Sequence, residues 1–361
     1  MATTFKTLLN NDVTSTRTLL HEAIPITGTI VSGTYSEAST TTSNIKNYGH
    51  AMFQSVYDYP YLSSSANHIF DITAGYSSNS PLSKSSGVAA DQDKKLNIYN
   101  QMAQLLVGHD VNGNIRNFDQ DGDLAGASPN TKMDAVIFIN FARLLGKDEI
   151  KKGSATLQFL TGGTQNNVSD LLTISDHNAQ NEFRINSPAG EYGILYTSSA
   201  TPNTNSGVGH VYYQAGIAVL TASIFAGMGS DQAVSGGFGA PGATYDTSSI
   251  EAVMSGSNTT ASCDGLRNRF YNVQFNNTTE LNSTIYFCRA NHNDFNYSTN
   301  PTYLTGSKIR VKQNTFDTPV SYITTVGLYS ADNELLAVAK LSEPIKKQPD
   351  TELTLRVRLD Y

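Results

Sequence analysis

Alternation of apolar and polar residues dominates the end of the chain. Residues 322–329 and 335–341 are apolar runs that flank the short polar stretch 330–334. Residues 353–359 place Leu or Val at every second position, with Thr354, Arg356 and Arg358 between them. Because successive side chains of a strand point to opposite faces, this pattern predicts strands with one apolar face. The strands predicted for this region are 269–275, 283–290, 308–311, 321–329, 335–341 and 351–359.

One clear helix is predicted earlier in the chain, over residues 91–110. Its apolar residues recur with the helical period of 3.6, and Gly108 stands where a helix is expected to end. Weaker helical spacing occurs at 51–58, and residues 14–23 fit either a short helix or an extended arm. The apolar stripe of the clear helix is Leu96, Tyr99, Met102, Ala103, Leu106 and Val107.

Runs of β-branched and aromatic residues predict strands in the first two thirds of the chain. Residues 210–227 fit a strand, a buried helix, or a strand followed by a helix, and the sequence leaves these alternatives open. Residues 147–152 are predicted to form a solvated turn. The predicted strands are 26–35, 68–76, 134–143, 154–160, 171–175, 182–186 and 191–198.

These elements predict a mainly β protein with a few helices, of the α+β class, with an antiparallel β-sandwich at the C-terminus and long loop insertions. Long polar loops are expected at 36–47, 77–91 and 227–256. We divide the chain into three regions. They are an N-terminal arm with a mixed α/β region (1–130), a β-rich middle region with a long Gly/Ser loop (131–265), and a C-terminal antiparallel β docking domain (266–361).

Composition narrows the range of partners. Charged residues make up 15% of the chain, against about 25% in typical soluble domains. The net charge is −7 and no basic cluster exceeds a doublet such as Lys151–Lys152, so no nucleic-acid partner is expected. The longest apolar run is shorter than the ~20 residues of a membrane helix, and the start of the chain lacks a secretory signal pattern. Cys263 and Cys288 are therefore expected to be reduced thiols.

The strongest pattern for an ion site is the alternation of Asp119, Asp121 and Asp123. An EF-hand loop counted from Asp119 requires Gly at its sixth position and Glu at its twelfth, where this chain has Leu124 and Asn130. A calcium site of another kind and a polar turn are the two interpretations. We prefer the turn and predict no metal site.

No pattern predicts a catalytic or cofactor-binding residue. Ser175, Asp176 and His177 have the residue types of a catalytic triad, but neighbouring residues on a strand point to opposite faces. The glycines of 235–242 do not open a helix after a strand, so no phosphate-binding loop is predicted. The histidines show no metal-binding spacing; they are His21, His50, His68, His109, His177, His210 and His292.

Several stretches resemble structural proteins of T4-like contractile-tailed bacteriophages, of the marine and cyanobacterial kind. In the closing region these are FNYSTNPTY (295–303), residues 318–347 and TELTLRVRLDY (351–361). The hairpin at 322–341 is also similar to one in the attachment domains of some phage tail fibres, without the usual glycine in its turn. Earlier stretches that carry the resemblance are 16–35, 49–71, 99–108, 138–154 and 186–195.

The resemblance implies a non-enzymatic virion protein of a phage tail, first of all a baseplate wedge component. Its expected partners are other tail or baseplate proteins and copies of itself, with a tail fibre as a further contact. A fibre-anchoring or collar/neck protein is the alternative, and a module that binds or cleaves host polysaccharide is the third. The terminal strands are expected either to dock neighbouring subunits or to close their own sandwich. Docking would leave an interface rimmed by Lys340, Lys346, Lys347, Arg356 and Arg358.

Overall fold

Antiparallel strands are the commonest elements in the part of the chain that the computed structural model describes. This part comprises residues 5–27, 44–58, 67–84, 89–124, 132–164, 167–197, 206–225, 254, 259–296, 302, 304–305, 308–309, 314 and 316–361. The strands are β1 (Val13–Thr27), β2 (Ile45–Asn47), β3 (Gln54–Tyr57), β4 (His68–Tyr76), β5 (Ala135–Phe141), β6 (Glu149–Ile150), β7 (Thr156–Thr164), β8 (Asn167–Ser175), β9 (Tyr192–Thr197), β10 (Gly209–Tyr212), β11 (Ile217–Thr221), β12 (Phe270–Ala290), β13 (Leu304–Thr305), β14 (Lys308–Ile309), β15 (Ser321–Tyr329), β16 (Leu335–Lys347) and β17 (Leu353–Asp360).

Helices are fewer than strands among the described residues. The α-helices described are α1 (Ala89–Leu106), α2 (Arg143–Gly146), α3 (Ala179–Glu182) and α4 (Thr259–Arg269). Short 3-10 turns lie at Asn10–Asp12, Pro81–Lys84 and Ala222–Phe225. The prediction of a mainly β, α+β protein with antiparallel pairing is confirmed.

The chain divides into two compact units. The body unit is Leu20–Thr279, and the terminal unit combines Met1–Leu19 with Glu280–Tyr361. The boundaries of these units differ from those of the three predicted regions, which stay a prediction about the organisation of the chain. In the body unit the strand order is β12-β7-β8-β9-β10-β11-β5-β4-β3-β2.

Both faces of the body sheet are covered around β5. Val136 and Phe138 belong to one buried apolar cluster, whereas Ile137 and Ile139 belong to another. Since neighbouring residues of a strand point to opposite faces, the two clusters lie on the two sides of this strand. Tyr99 of α1 belongs to the first cluster, and residues of α4 belong to the second.

Helix α1 packs closely against β4 at Gly75. A Cβ at Gly75 would lie 2.8 Å from the carbonyl oxygen of Lys95 and 2.9 Å from the backbone nitrogen of Tyr99. Both atoms belong to the helix backbone, so neither can move without moving the helix. The glycine therefore sets the distance between helix and sheet.

Replacing Gly75 by Ala is expected to lower the free energy of unfolding by about 1–3 kcal/mol, because the added methyl group overpacks this contact. Urea unfolding measures the change. Gly146→Ala is the control, since a Cβ there meets no atom within 4 Å. Equal stability of the G75A and G146A variants would contradict the prediction.

Most of the long predicted elements are confirmed. The clear helix forms as α1, and Gly108 follows it with a φ of +79°. The strands predicted at 26–35, 68–76, 134–143, 154–160, 171–175 and 191–198 appear in β1, β4, β5, β7, β8 and β9, although residues 28–35 lie outside the described chain. Residues 210–227, left open above, form the hairpin of β10 and β11 followed by a 3-10 turn.

Residues 14–23, which fitted either a short helix or an extended arm, lie in the extended strand β1, which pairs with β12. Three local predictions were wrong. Residues 51–58 contain strand β3 instead of a helix, because pairing to β4 outweighs weak helical spacing. Residues 182–186 hold the end of α3 and one isolated bridge from Arg184 to Tyr192. The turn predicted at 147–152 contains β6, which pairs with β12 and buries Ile150.

No sequence pattern predicted α4, and the single strand β12 was predicted as two separate strands. The predicted loops fall largely outside the described residues. Residues 36–43, 85–88 and 226–253 are not described, whereas Ile45–Asn47 and Pro81–Lys84 are ordered elements.

Candidate assembly surface and candidate ion site

Strands β15 and β16 form a two-stranded hairpin in the terminal unit. Its turn closes through a hydrogen bond from the backbone N–H of Ser330 to the carbonyl oxygen of Glu334 (2.9 Å), and the N–H of Glu334 donates to Oγ of Ser330 (3.1 Å). Asn333 takes the left-handed conformation with a φ of +64°. Because Asn tolerates this conformation better than most residues, it replaces the glycine that the resemblance led us to expect.

One face of the distal half of the hairpin is apolar and exposed. Val338 is 54% exposed and pairs with Gly327, and Leu335 is 53% exposed and pairs with Tyr329. The ring of Phe5, itself exposed, lies 5.0 Å from the ring of Tyr329. We call this set the hairpin patch; it comprises Phe5, Tyr329, Leu335, Leu336 and Val338.

The base of the hairpin is fixed to the turn that follows β12. Lys347 is fully buried, and its Nζ donates to Oδ1 of Asn296 (2.6 Å) and to the carbonyl oxygens of His292 (3.2 Å) and Gln348 (3.0 Å). Oγ of Ser321 donates to the carbonyl oxygen of Phe295. The prediction that Lys347 rims an interface was therefore wrong: its ammonium group is a buried anchor.

The terminal strand β17 pairs with β12 of the same chain along its whole length, from Leu353↔Ala290 to Asp360↔Ser283. Val357 is buried and Arg356 is exposed, as the alternation predicts. Arg358 forms an ion pair with Asp360 (2.7 Å) and donates from Nη2 to Oγ of Ser283 (3.0 Å). Pairing within the chain therefore explains why this end is ordered.

Four strand edges are open among the described strands of the terminal unit. Among the described strands, β15 and β16 pair only with each other, and β17 pairs only with β12. Strand β1 likewise pairs only with β12 within the described part of the chain, and its residues 14–19 are all exposed. An open strand edge presents unpaired N–H and C=O groups to any further strand.

The three aspartates singled out above lie together. Carboxylate oxygens of Asp119, Asp121 and Asp123 are all within 4.8 Å of one another. Oδ2 of Asp119 accepts from Nζ of Lys132 (2.5 Å), and Asp119 is fully buried. Burial raises the pKa of the Asp121 carboxyl, and the adjacent Asp119 and Asp123 raise it further.

The loop that carries these aspartates is held by its backbone. The carbonyl oxygen of Gly122 accepts from the hydroxyl of Tyr192 (2.9 Å) and from Nδ2 of Asn186 (3.0 Å). Nη2 of Arg184 donates to the carbonyl oxygen of Asp121 (3.2 Å). Neighbouring His210 is fully buried, and burial lowers its pKa to about 4, so the imidazole is neutral at pH 7.

Ser175, Asp176 and His177 do not assemble into a triad in the described structure. Oγ of Ser175 lies 3.1 Å from Nδ1 of His177, on the exposed side of the chain. Asp176 is buried on the other side and accepts from the backbone N–H groups of Gly153 (2.8 Å) and Ala155 (2.9 Å) and from the hydroxyl of Tyr213 (3.0 Å). Asp176 thus holds a turn, and sequence reasoning missed this structural role.

A pocket of about 280 Å³ lies beside β5 and β6 in the body unit. Phe141 and Tyr213 contribute aromatic rings to its lining, and Glu149 is the one carboxylate among the lining residues that the structure describes. Glycoside hydrolysis usually requires two carboxylates on either side of the scissile bond. The pocket does not present that pair.

Within the described residues neither Cys263 nor Cys288 forms a disulfide, and Sγ of Cys263 donates to the carbonyl oxygen of Ile72 (3.2 Å). Within the described residues, every helix is too short or too polar to cross a membrane. Comparison with family models, with curated proteins and with solved structures found no match to this chain.

Proposed function

We propose that this chain is a structural subunit of a contractile phage tail, placed in the baseplate wedge, and that it works through interfaces with other subunits. The observation that carries the proposal is the hairpin patch together with the open strand edges of the terminal unit. The resemblance of the closing region to phage structural proteins supplies the identity of the assembly.

Physical reasoning supports an interface at the hairpin. An isolated two-stranded hairpin is marginally stable in water, and an apolar face on it adds surface that favours burial. Contiguous exposed apolar patches on soluble proteins mark interaction sites more often than scattered apolar residues do. The buried ammonium group of Lys347 holds the base, so the patch is presented on a fixed element.

The open edges offer a second way to bind. Natural proteins usually blunt edge strands with charges, prolines or bulges. Residues 14–16 and 18–20 of β1 are uncharged, and Leu19 and Leu20 are 44% and 51% exposed. A strand of another subunit that pairs along such an edge forms backbone hydrogen bonds with it. The side chains of the added strand then contact residues beside the edge.

Immunogold electron microscopy of purified phage particles tests the location. An antibody to this chain is expected to label the end of the tail where the baseplate lies. Label at the neck or along the fibres would favour the alternative positions. Particles without label would contradict a virion role altogether.

Val338→Glu is expected to impair assembly, because it places a charge in the centre of the hairpin patch. In a phage that lacks this gene, complementation with V338E is expected to give at least about 10-fold fewer infectious particles, the effect of roughly 1.4 kcal/mol lost at one interface. Thr324→Glu places the same charge at an exposed position of β15 outside the patch and is the matched control. Thermal melting of both purified variants checks that they fold. Full complementation by V338E would contradict the role of the patch.

A further inference from the structure

The chain contains the pattern Asp-x-(Asp/Asn)-Gly-(Asp/Asn) twice, at residues 110–114 and 119–123. Both copies turn at the glycine, which has a φ of +84° at Gly113 and +66° at Gly122. The two loops share sequence and turn geometry, yet their first carboxylates are in opposite surroundings. The loop at 110–114 therefore serves as an internal comparison for the loop at 119–123.

In the first loop, donors of the loop itself form hydrogen bonds with the carboxylate of Asp110. Oδ1 of Asp110 accepts from the backbone N–H groups of Asn112 (2.8 Å) and Asn114 (2.8 Å), and Oδ2 accepts from Nδ2 of Asn114 (3.3 Å). The loop is exposed, so water reaches the remaining acceptor positions. Nothing in this loop calls for a bound ion.

In the second loop, a buried carboxylate oxygen has no partner in the part of the chain that the structure describes. Asp119 has no solvent exposure, and its Oδ2 is taken by Lys132. Its Oδ1 has no hydrogen-bond partner among the described residues. A buried charged oxygen without a partner costs several kcal/mol or more, so native proteins pair such atoms with donors or with metal ions.

A second buried polar atom lies beside the same carboxylate. His210 is fully buried, and its Nε2 has no hydrogen-bond partner among the described residues. Asp119 lies near enough to this imidazole to interact with it electrostatically. The local polar groups are thus incompletely satisfied at the point where three carboxylates meet.

We propose that Asp119, Asp121 and Asp123 bind a Ca²⁺ ion. Carboxylate oxygens are the ligands of hard cations, and Ca²⁺ binds them at about 2.3–2.6 Å in irregular geometry. Two oxygens on one such ion can lie at most about 5 Å apart, and the three carboxylates meet this condition. The ion binds Oδ1 of Asp119, and backbone carbonyls or water complete its coordination.

Side chains from a neighbouring segment hold the backbone of the second loop in place. Tyr192 and Asn186 hold the carbonyl oxygen of Gly122, and Arg184 holds that of Asp121. A Cβ at Gly122 would lie 3.2 Å from both Cγ of Arg184 and the hydroxyl oxygen of Tyr192, so the glycine also allows this close approach. A held loop loses little conformational entropy when it binds an ion.

Isothermal titration calorimetry of the EDTA-treated full chain with CaCl₂ tests the proposal. We expect one Ca²⁺ per chain with a Kd between about 10⁻⁵ and 10⁻³ M, and at least about 10-fold weaker binding of Mg²⁺. Asp123→Asn, at an exposed position, is expected to weaken Ca²⁺ binding at least 10-fold. Asp110→Asn in the sister loop is the matched control and is expected to leave the Kd unchanged.

Thermal melting gives an independent measure, because a ligand that binds only the folded state raises the melting temperature. Ca²⁺ is expected to raise the melting temperature of the wild type and of D110N, but not that of D123N. No heat of binding and no change in melting temperature at about 10 mM Ca²⁺, ten times the weakest Kd expected, would overturn the proposal. Equal loss of binding in D110N and D123N would overturn it too.

Discussion

Replacing Asp176 by Ala is expected to lower the free energy of unfolding by about 3–5 kcal/mol, which is a large part of the stability of an ordinary domain. The carboxylate is fully buried and accepts hydrogen bonds from Gly153, Ala155 and Tyr213. Alanine removes all three acceptor contacts and leaves buried donors without a partner. Urea unfolding followed by circular dichroism measures the difference.

Two further variants separate the causes of this loss. Tyr213→Phe removes one donor and keeps both backbone contacts, so a loss of about 1 kcal/mol is expected. Asp176→Asn keeps one acceptor oxygen but places an N–H₂ group near backbone donors, so an intermediate loss is expected. If D176A is as stable as the wild type, the carboxylate does not hold the turn.

The contribution of Asp176 to the free energy of unfolding is expected to depend on pH, and the raised pKa fixes the direction of the change. Burial raises the pKa of Asp176 above that of an exposed aspartate, although its hydrogen bonds oppose the rise. Between the unfolded value of about 3.9 and the raised folded value, the folded state holds more protons than the unfolded state. The stability of the wild type relative to D176N is therefore expected to fall as pH rises through that window. A rise over the same window would contradict the assignment.

Phe270→Ala is the second large effect, with an expected loss of about 3–5 kcal/mol. The ring is fully buried, and its centroid lies 4.7 Å from that of Phe159 and 5.5 Å from that of Phe70. These three rings join strands β12, β7 and β4 inside one apolar cluster, so truncation leaves a cavity that the neighbouring strands cannot close.

A matched control comes from the same residue type. Phe316 is 100% exposed, so Phe316→Ala is expected to change the free energy of unfolding by less than about 0.5 kcal/mol. Phe270→Leu keeps most of the volume and is expected to cost less than the alanine variant. Denaturant unfolding of all three variants tests this order. Similar losses for F270A and F316A would show that the aromatic cluster does not carry the stability assigned to it.

Local patterns predicted the elements in which local and tertiary preferences agree. The apolar stripe of α1, the buried run of β5 and the alternation of β17 each appear at the predicted place. The pattern failed where strand pairing outweighed the local spacing of residues, whether the partner strand was near or far in sequence. Strand β3 pairs with β4, and β6 pairs with residues of β12 more than a hundred positions later.

The candidate sites likewise combine features that the sequence shows with features that only the folded structure shows. The sequence alone determined that Asp119, Asp121 and Asp123 alternate, that the closing region is rich in strands, and that the hairpin turn lacks glycine. Only the tertiary structure decided that Asp119 is buried with an oxygen that has no partner among the described residues, that Lys347 is an anchor, and that the hairpin patch is exposed. The physical reason is that alternation and composition are local properties, whereas burial and hydrogen-bond partners depend on segments that meet only when the chain has folded.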